Sequence, residues 1–172
     1  MKSVLISIRP EWCEKIASGE KTVEVRKTRP KIEPPFKCYI YCTVGDGATG
    51  DILPNSGVTC GKVIGEFVCH WIRRESEVAL GFVDVVLAKT SCMGYRQIMD
   101  YADGGDLYTW NISDLVIYEK PRPLSDFKPP CDGFDKRCQV SCAKITTDGK
   151  SRCTRRQFTR PPQSWCYVEG GE

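Results

Sequence analysis

The run Ser3-Val4-Leu5-Ile6-Ser7-Ile8 is rich in β-branched and apolar residues and is closed at once by Arg9-Pro10. Such a run reads as a short buried strand. Pro10 suits the first turn of a helix, where its missing N–H has no intrahelical acceptor to lose. That helix extends to about Ser18, with Trp12 and Ile16 four apart on one face and Gly19 placed as the residue that ends it. A strand followed directly by a helix, in a chain of 172 residues with repeated Gly and Pro breaks, points to one domain of short elements.

The segments that follow keep to that scale. Lys21 to Lys27 alternates as a strand, with Thr22, Glu24 and Arg26 on one side and Val23 and Val25 on the other, the valine side being the expected buried one. Residues 28–35 form a proline-rich connection, and Lys37 to Thr43 reads as a strand. Residues 45–61 hold five glycines with Pro54, Asn55 and Ser56, which predicts a long loop. Lys62 to Ile72 is strand-like with a bulge expected at Gly65. Ser91 is placed to cap a helix through Tyr101, stopped by Gly104-Gly105. Leu107 to Tyr118 resumes strand character with an interruption at 111–114, and residues 164–168 offer a closing strand. Five or six strands and two helices predict a mainly β, α+β fold: a small β-barrel with short flanking helices.

No apolar run reaches the roughly 20 residues that a membrane helix needs, so no membrane partner is expected. The apolar stretch at the start is cut short by Arg9, Pro10 and Glu11 before it resembles a signal peptide. Eleven cysteines spread through strand-like segments do not look like a secreted disulfide scaffold. A reduced, cytoplasmic setting is expected, with several cysteines packing as small apolar groups.

Charge is unevenly placed. Residues 1–130 carry 17 basic and 17 acidic side chains, whereas 131–160 carry eight basic against three acidic. A second basic cluster, between 21 and 37, sets six cations against Glu24 and Glu33. Two basic segments suit a phosphate-bearing partner, and equally suit a solvated surface.

The densest chemistry lies at Gly19-Glu20-Lys21-Thr22-Val23-Glu24-Val25-Arg26. Glu24 and Arg26 share a face, and Lys21 can join them only from the turn after Gly19. Arg26 would then bind an anion or base edge, Glu24 would orient or accept a proton, and Lys21 would supply charge or act as a base. A surface strand laced with ion pairs has the same spacing.

The pattern Gly19-x-Lys21-x-x-Glu24-x-Arg26, behind a strand, a proline and a short helix, resembles the signature of the ASCH family, of bacterial or phage type, within the PUA-like superfamily. Tyr39-Ile40-Tyr41, Gly61 to Glu66 and Leu107 to Ser113 follow in the order that family shows, so that the resemblance spans about residues 1–125 and a last strand at 164–168. It implies a PUA-like β-barrel with a central cleft that binds RNA or a modified nucleoside. In some relatives it implies a hydrolase: a ribonuclease or an N4-acetylcytidine amidohydrolase. The family lysine falls on Lys21 and the arginine on Arg26. The threonine nucleophile of the bacterial amidohydrolases falls on Glu24, which favours a binding cleft. The candidate catalytic residues are therefore Lys21, Glu24 and Thr22.

Aromatic residues near element ends supply candidate stacking platforms: Trp12, Tyr41, Trp110 and Trp165, each of which also suits a core. Arg9, Arg26, Ser113, Gln163 and Ser164 complete the candidate ligand contacts. Residues 131–160 read as a basic, Cys-rich insertion before the closing strand of a single 1–172 domain. There Cys131, Cys138, Cys142 and Cys153 form a candidate structural zinc set, with free thiols or a disulfide as the alternative.

Overall fold

The computed structural model describes residues 2–45, 50–54, 56–130 and 158–169. Strand β1 (Lys2–Ile8) leads into helix α1 (Pro10–Ala17), strand β2 (Val23–Arg26) and strand β3 (Phe36–Cys42). Strands β4 (Lys62–Cys69) and β5 (Ile72–Glu75) precede a short 3-10 turn at Ser76–Leu80. Helices α2 (Val85–Ser91) and α3 (Tyr95–Ala102) follow, then β6 (Leu107–Asn111), β7 (Ser113–Arg122), a second 3-10 turn (Leu124–Asp126) and β8 (Trp165–Glu169).

The strands form a five-stranded sheet in the order β7-β4-β3-β1-β8 and a three-stranded sheet in the order β2-β6-β5. β1 pairs parallel with β3 and antiparallel with β8. Its interior place between β3 and β8 explains its apolar stretch, since Val4, Leu5 and Ile6 have no exposed surface. The chain changes sheets four times along the described strands: between β1 and β2, between β2 and β3, between β4 and β5, and at Ile112 between β6 and β7. No pairing joins the two sheets among the described strands. The α+β reading therefore holds, while the described pairings do not close the expected barrel.

One core serves both sheets. Val4, Ile6 and Ile8 of β1 pack with Ile40, Ile64 and Phe67 and with Trp110 from the other sheet. Trp110 is fully buried, edge-on to Phe36 at 6.1 Å and tilted against Trp165 at 5.9 Å. Helices α2 and α3 cover the outer side of the three-stranded sheet, placing Leu87 and Ile98 against Val25 and Leu107.

Several expectations change. There are eight described strands and three α-helices, more than the five or six strands and two helices read from the sequence. Ser91 ends α2 and caps nothing; α3 starts after Gly94, whose N–H donates to Gln97 Oε1 at 2.8 Å. α2 has a β-branched start that reads poorly as helix, and it is secured by Asp84, whose side chain accepts from the Val86 N–H at 2.9 Å. β2 is buried on both faces, not on the valine face alone. His70 is exposed and paired with Asp114 at 2.9 Å, although Val68 and Ile72 on either side of it are apolar.

At Gly65 the β3–β4 and β4–β7 registers both shift, as a bulge there requires. An added Cβ would lie 2.4 Å from the Val116 carbonyl oxygen, so the close approach of β7 accounts for the glycine. Beside it, Glu66 accepts from Lys37 Nζ and from the Tyr118 hydroxyl, each at 2.6 Å, and so ties β3, β4 and β7 together. Burial pushes the Glu66 carboxyl up, but these two hydrogen bonds outweigh it and hold the group below its usual value of 4.5. A depressed carboxyl adds stability above the unfolded-state pKa and loses it as pH falls through the folded one. Urea midpoints of the wild type are accordingly predicted to fall more steeply than those of Glu66→Gln between about pH 5 and about pH 3. Parallel curves for the two proteins would contradict this.

Candidate functional site

Three charged side chains are buried together at the meeting of the two sheets. Lys21, Glu24 and Arg26 retain 2%, 6% and 9% of their surface. Gly19, at φ +78°, ends α1 and turns the chain so that Lys21 precedes β2 and points inward. The Lys21 backbone N–H donates to the Lys15 carbonyl at 2.9 Å, which fixes that turn. Lys21 thus reaches Glu24 from outside the strand alternation, as the spacing demanded.

Glu24 is the centre. Its Oε2 lies 3.3 Å from Lys21 Nζ and its Oε1 lies 2.9 Å from an Arg26 terminal nitrogen. Lys21 Nζ also donates to the Ser91 carbonyl at 2.8 Å and sits 5.2 Å over the Trp12 ring. Arg26 donates to the Ser7 carbonyl at 2.6 Å and to Ser164 Oγ at 3.4 Å. Its Nε is buried with no hydrogen-bond partner. Two cations against one carboxylate leave the cluster with a formal charge of +1, in surroundings where unpaired charge is costly.

The triplet forms the floor of a cavity of about 580 Å³. Trp12 and Tyr101 line it with Arg9, Gln163 and Ser164, while Gln97 and Asp100 line it from α3 and Met93 from the segment just before that helix. Volumes of this order suit a ligand of nucleoside size. Lys27 Nζ lies 5.5 Å over the Tyr101 ring, which adds a cation beside the cavity wall.

The structure thus gathers Lys21, Glu24, Arg26, Arg9, Trp12, Gln163 and Ser164 at one cavity. It does not bring the other candidates there. Thr22 is exposed and lines a separate cavity of about 300 Å³ with Trp71 and Asn111, because regular pairing begins only at Val23. Tyr41 is buried with Leu5, Tyr39 and Phe127 in another apolar cluster. Trp110 is a core residue joining the sheets, and Trp165 packs on it while donating from Nε1 to Thr28 at 3.0 Å. Ser113 donates to Asn111 Oδ1 at 2.8 Å. Cys131, Cys138, Cys142 and Cys153 lie outside the described residues. The α3 wall was missed, although Gln97, Asp100 and Tyr101 recur at helical spacing and could have marked a polar face.

A two-sheet α+β domain with a charged cleft at the sheet junction defines the class. A family model, the ASCH domain, matches residues 6–113. The chain belongs to the ASCH domain family, and its fold is PUA-like. Among solved structures it is similar to ASCH from Zymomonas mobilis, with 20% identity, a TM-score of 0.60, and 97% of this chain and 87% of that chain covered. Two crystal structures of single-residue mutants of that protein align comparably, with TM-scores of 0.60 and 0.61, both at 20% identity. The alignments cover 97% and 98% of this chain and 88% and 91% of those chains. No match is found among curated proteins.

Removing one partner of a buried ion pair costs about 3–5 kcal/mol, whereas exposed pairs contribute about 0–1 kcal/mol. Glu24→Gln is therefore predicted to lower unfolding stability in urea by about 3–5 kcal/mol. Glu20→Gln, at the exposed Lys15–Glu20 pair, should change it by less than about 1 kcal/mol. Equal losses would contradict the central place given to Glu24.

Proposed function

We propose that this chain binds RNA or a modified nucleoside in the cleft over Lys21, Glu24 and Arg26. One observation carries the reading: a nucleoside-sized cavity has a buried cation–carboxylate–cation floor and aromatic side chains, Trp12 and Tyr101, in its lining. A base can stack on such rings, its edge can meet Gln97 and Gln163, and the net positive floor favours an electron-rich ligand group. Membership of the ASCH family, whose fold is associated with RNA binding, supports the same reading. Basic residues of segment 131–160 would contact phosphates, and a zinc ion held by its four cysteines would order them. The setting is cytoplasmic and reduced, and no helix among the described residues is long and apolar enough to cross a membrane.

A base stacked on an aromatic ring contributes about 1–3 kcal/mol. Trp12→Ala is accordingly predicted to weaken single-stranded RNA binding by about 5- to 150-fold at fixed salt, and wild-type affinity should fall steeply as salt rises. Unchanged affinity in a folded Trp12→Ala protein, or no wild-type binding at low salt, would overturn the reading.

A second reading makes the same cleft a hydrolase, an N4-acetylcytidine amidohydrolase or a ribonuclease. The 3.3 Å contact between Lys21 Nζ and Glu24 Oε2 favours it, because an amine and a carboxylate at that distance can share a proton. Lys21 would be the proton-transfer group, with Glu24 beside it and Thr22 outside the cavity. N4-acetylcytidine followed by chromatography tests this: turnover in the wild type that is lost in Lys21→Ala supports the enzyme. No turnover by folded wild type against either N4-acetylcytidine or RNA removes it.

A further inference from the structure

Three cysteines gather behind the cleft. Cys42 ends β3, next to Thr43 of the cavity lining; Cys13 follows Trp12 in α1; and Cys60 lies where the 50–60 turn returns to the sheet. Cys42 Sγ and Cys60 Sγ are 3.9 Å apart, and all three side chains are buried. The cleft chemistry described above uses none of them.

Of the other four described cysteines, Cys92 is half-buried just after α2, and the remaining three differ from the cluster. Cys38, Cys69 and Cys166 are apolar packing elements whose thiols burial pushes up, to about 11 for the last two. Burial likewise raises Cys13 and takes Cys60 to about 11. Cys42 moves the opposite way: hydrogen bonds, chiefly from Cys13 and also from Cys60, hold it below its ordinary value against the effect of burial. The attacking form of a cysteine is its thiolate, so the middle member of the cluster is the one equipped to react.

We infer that Cys42 and Cys60 form a reversible oxidation site, closed to a disulfide by a low-molecular-weight disulfide such as oxidised glutathione. The Cys42 thiolate attacks one sulfur of the reagent, breaks its S–S bond, forms a mixed disulfide and releases one thiolate. Cys60 then loses its proton and attacks the Cys42 sulfur. This second step forms the Cys42–Cys60 bond and releases the second thiolate. The two protons pass to the two released thiolates. The cysteine pair is oxidised by two electrons, and the reagent is reduced by two.

Entry to the buried pair requires a local opening, and the 50–60 turn supplies the hinge. Opening it breaks the backbone bonds that close the turn, among them Cys60 N–H to Asp51 O at 2.8 Å, Gly50 N–H to Cys60 O at 2.9 Å and Leu53 N–H to Val58 O at 2.8 Å. Gly50, Gly57 and Gly61 all adopt positive φ there. Closing the bond would add a covalent link where the Gly61 N–H already donates to the Cys42 carbonyl at 2.8 Å. A reducing compartment keeps the pair open, so the bond would mark a shift in redox poise.

The test is to incubate the native full-length protein with oxidised glutathione, trap free thiols by alkylation in acid, and map cysteine peptides by mass spectrometry. The expected product is a reducible cross-link between the Cys42 and Cys60 peptides. In Cys60→Ala, which keeps an apolar side chain at that position, glutathione should remain on Cys42. Free thiols at 42 and 60 while other cysteines oxidise, or a bond from Cys42 to any other cysteine, would overturn the assignment. The wild-type map alone decides between these results, so a variant that fails to fold does not spoil the test.

Discussion

Glu24 neutralises two cations that the fold has removed from water, and most of the local architecture is arranged around that requirement. A lone buried ammonium or guanidinium would cost several kcal/mol, and each here meets the same carboxylate. Each cation also donates to a backbone carbonyl from a separate element, Lys21 to Ser91 at the end of α2 and Arg26 to Ser7 on β1, while Arg26 Nε has no hydrogen-bond partner. Arg26 also reaches Ser164, next to β8. The cluster therefore fastens the three-stranded sheet to the five-stranded one at the place where a cavity opens. Structural and ligand-binding roles coincide, since a floor held this tightly presents fixed charge to whatever enters.

What the sequence revealed follows from local physics. Strand β1, the proline-started helix and the glycine that ends it each have a cause within a few residues, and each was legible; the bulge at Gly65 was legible from the glycine itself, although what requires it, the approach of β7, is distant in sequence. The convergence of Lys21 with Glu24 was also legible, because only a turn after Gly19 could bring them together. The fate of the aromatic residues was not. Trp110 and Tyr41 sit on alternating strands much as Trp165 does, and whether a ring meets a cavity or a core depends on how the sheets pack. That packing is set by contacts far apart in sequence, such as Trp110 with Phe36.

The same limit explains α2 and the α3 wall. Val85 and Val86 look like strand residues, and they are exposed on a helix whose start is fixed by Asp84, through its side chain to Val86 N–H and its carbonyl to Ala88 N–H. Gln97 and Tyr101 gained meaning only once α3 was seen to stand across from Trp12 in the cavity lining. The cysteine cluster is another product of tertiary folding: Cys13, Cys42 and Cys60 come from a helix, a strand end and a turn, with no spacing that would announce them.

The account rests most on the claim that the cleft over the Lys21–Glu24–Arg26 triplet is where the ligand sits. The chain has four tryptophans, so a two-dimensional ¹H–¹⁵N NMR spectrum resolves their four indole N–H groups as separate reporters. On titration with short single-stranded RNA, the indole of Trp12 should shift with saturation while those of Trp71 and of the buried Trp110 stay in place. A saturable shift of Trp71 with Trp12 unmoved would put the ligand elsewhere on the domain and contradict the account.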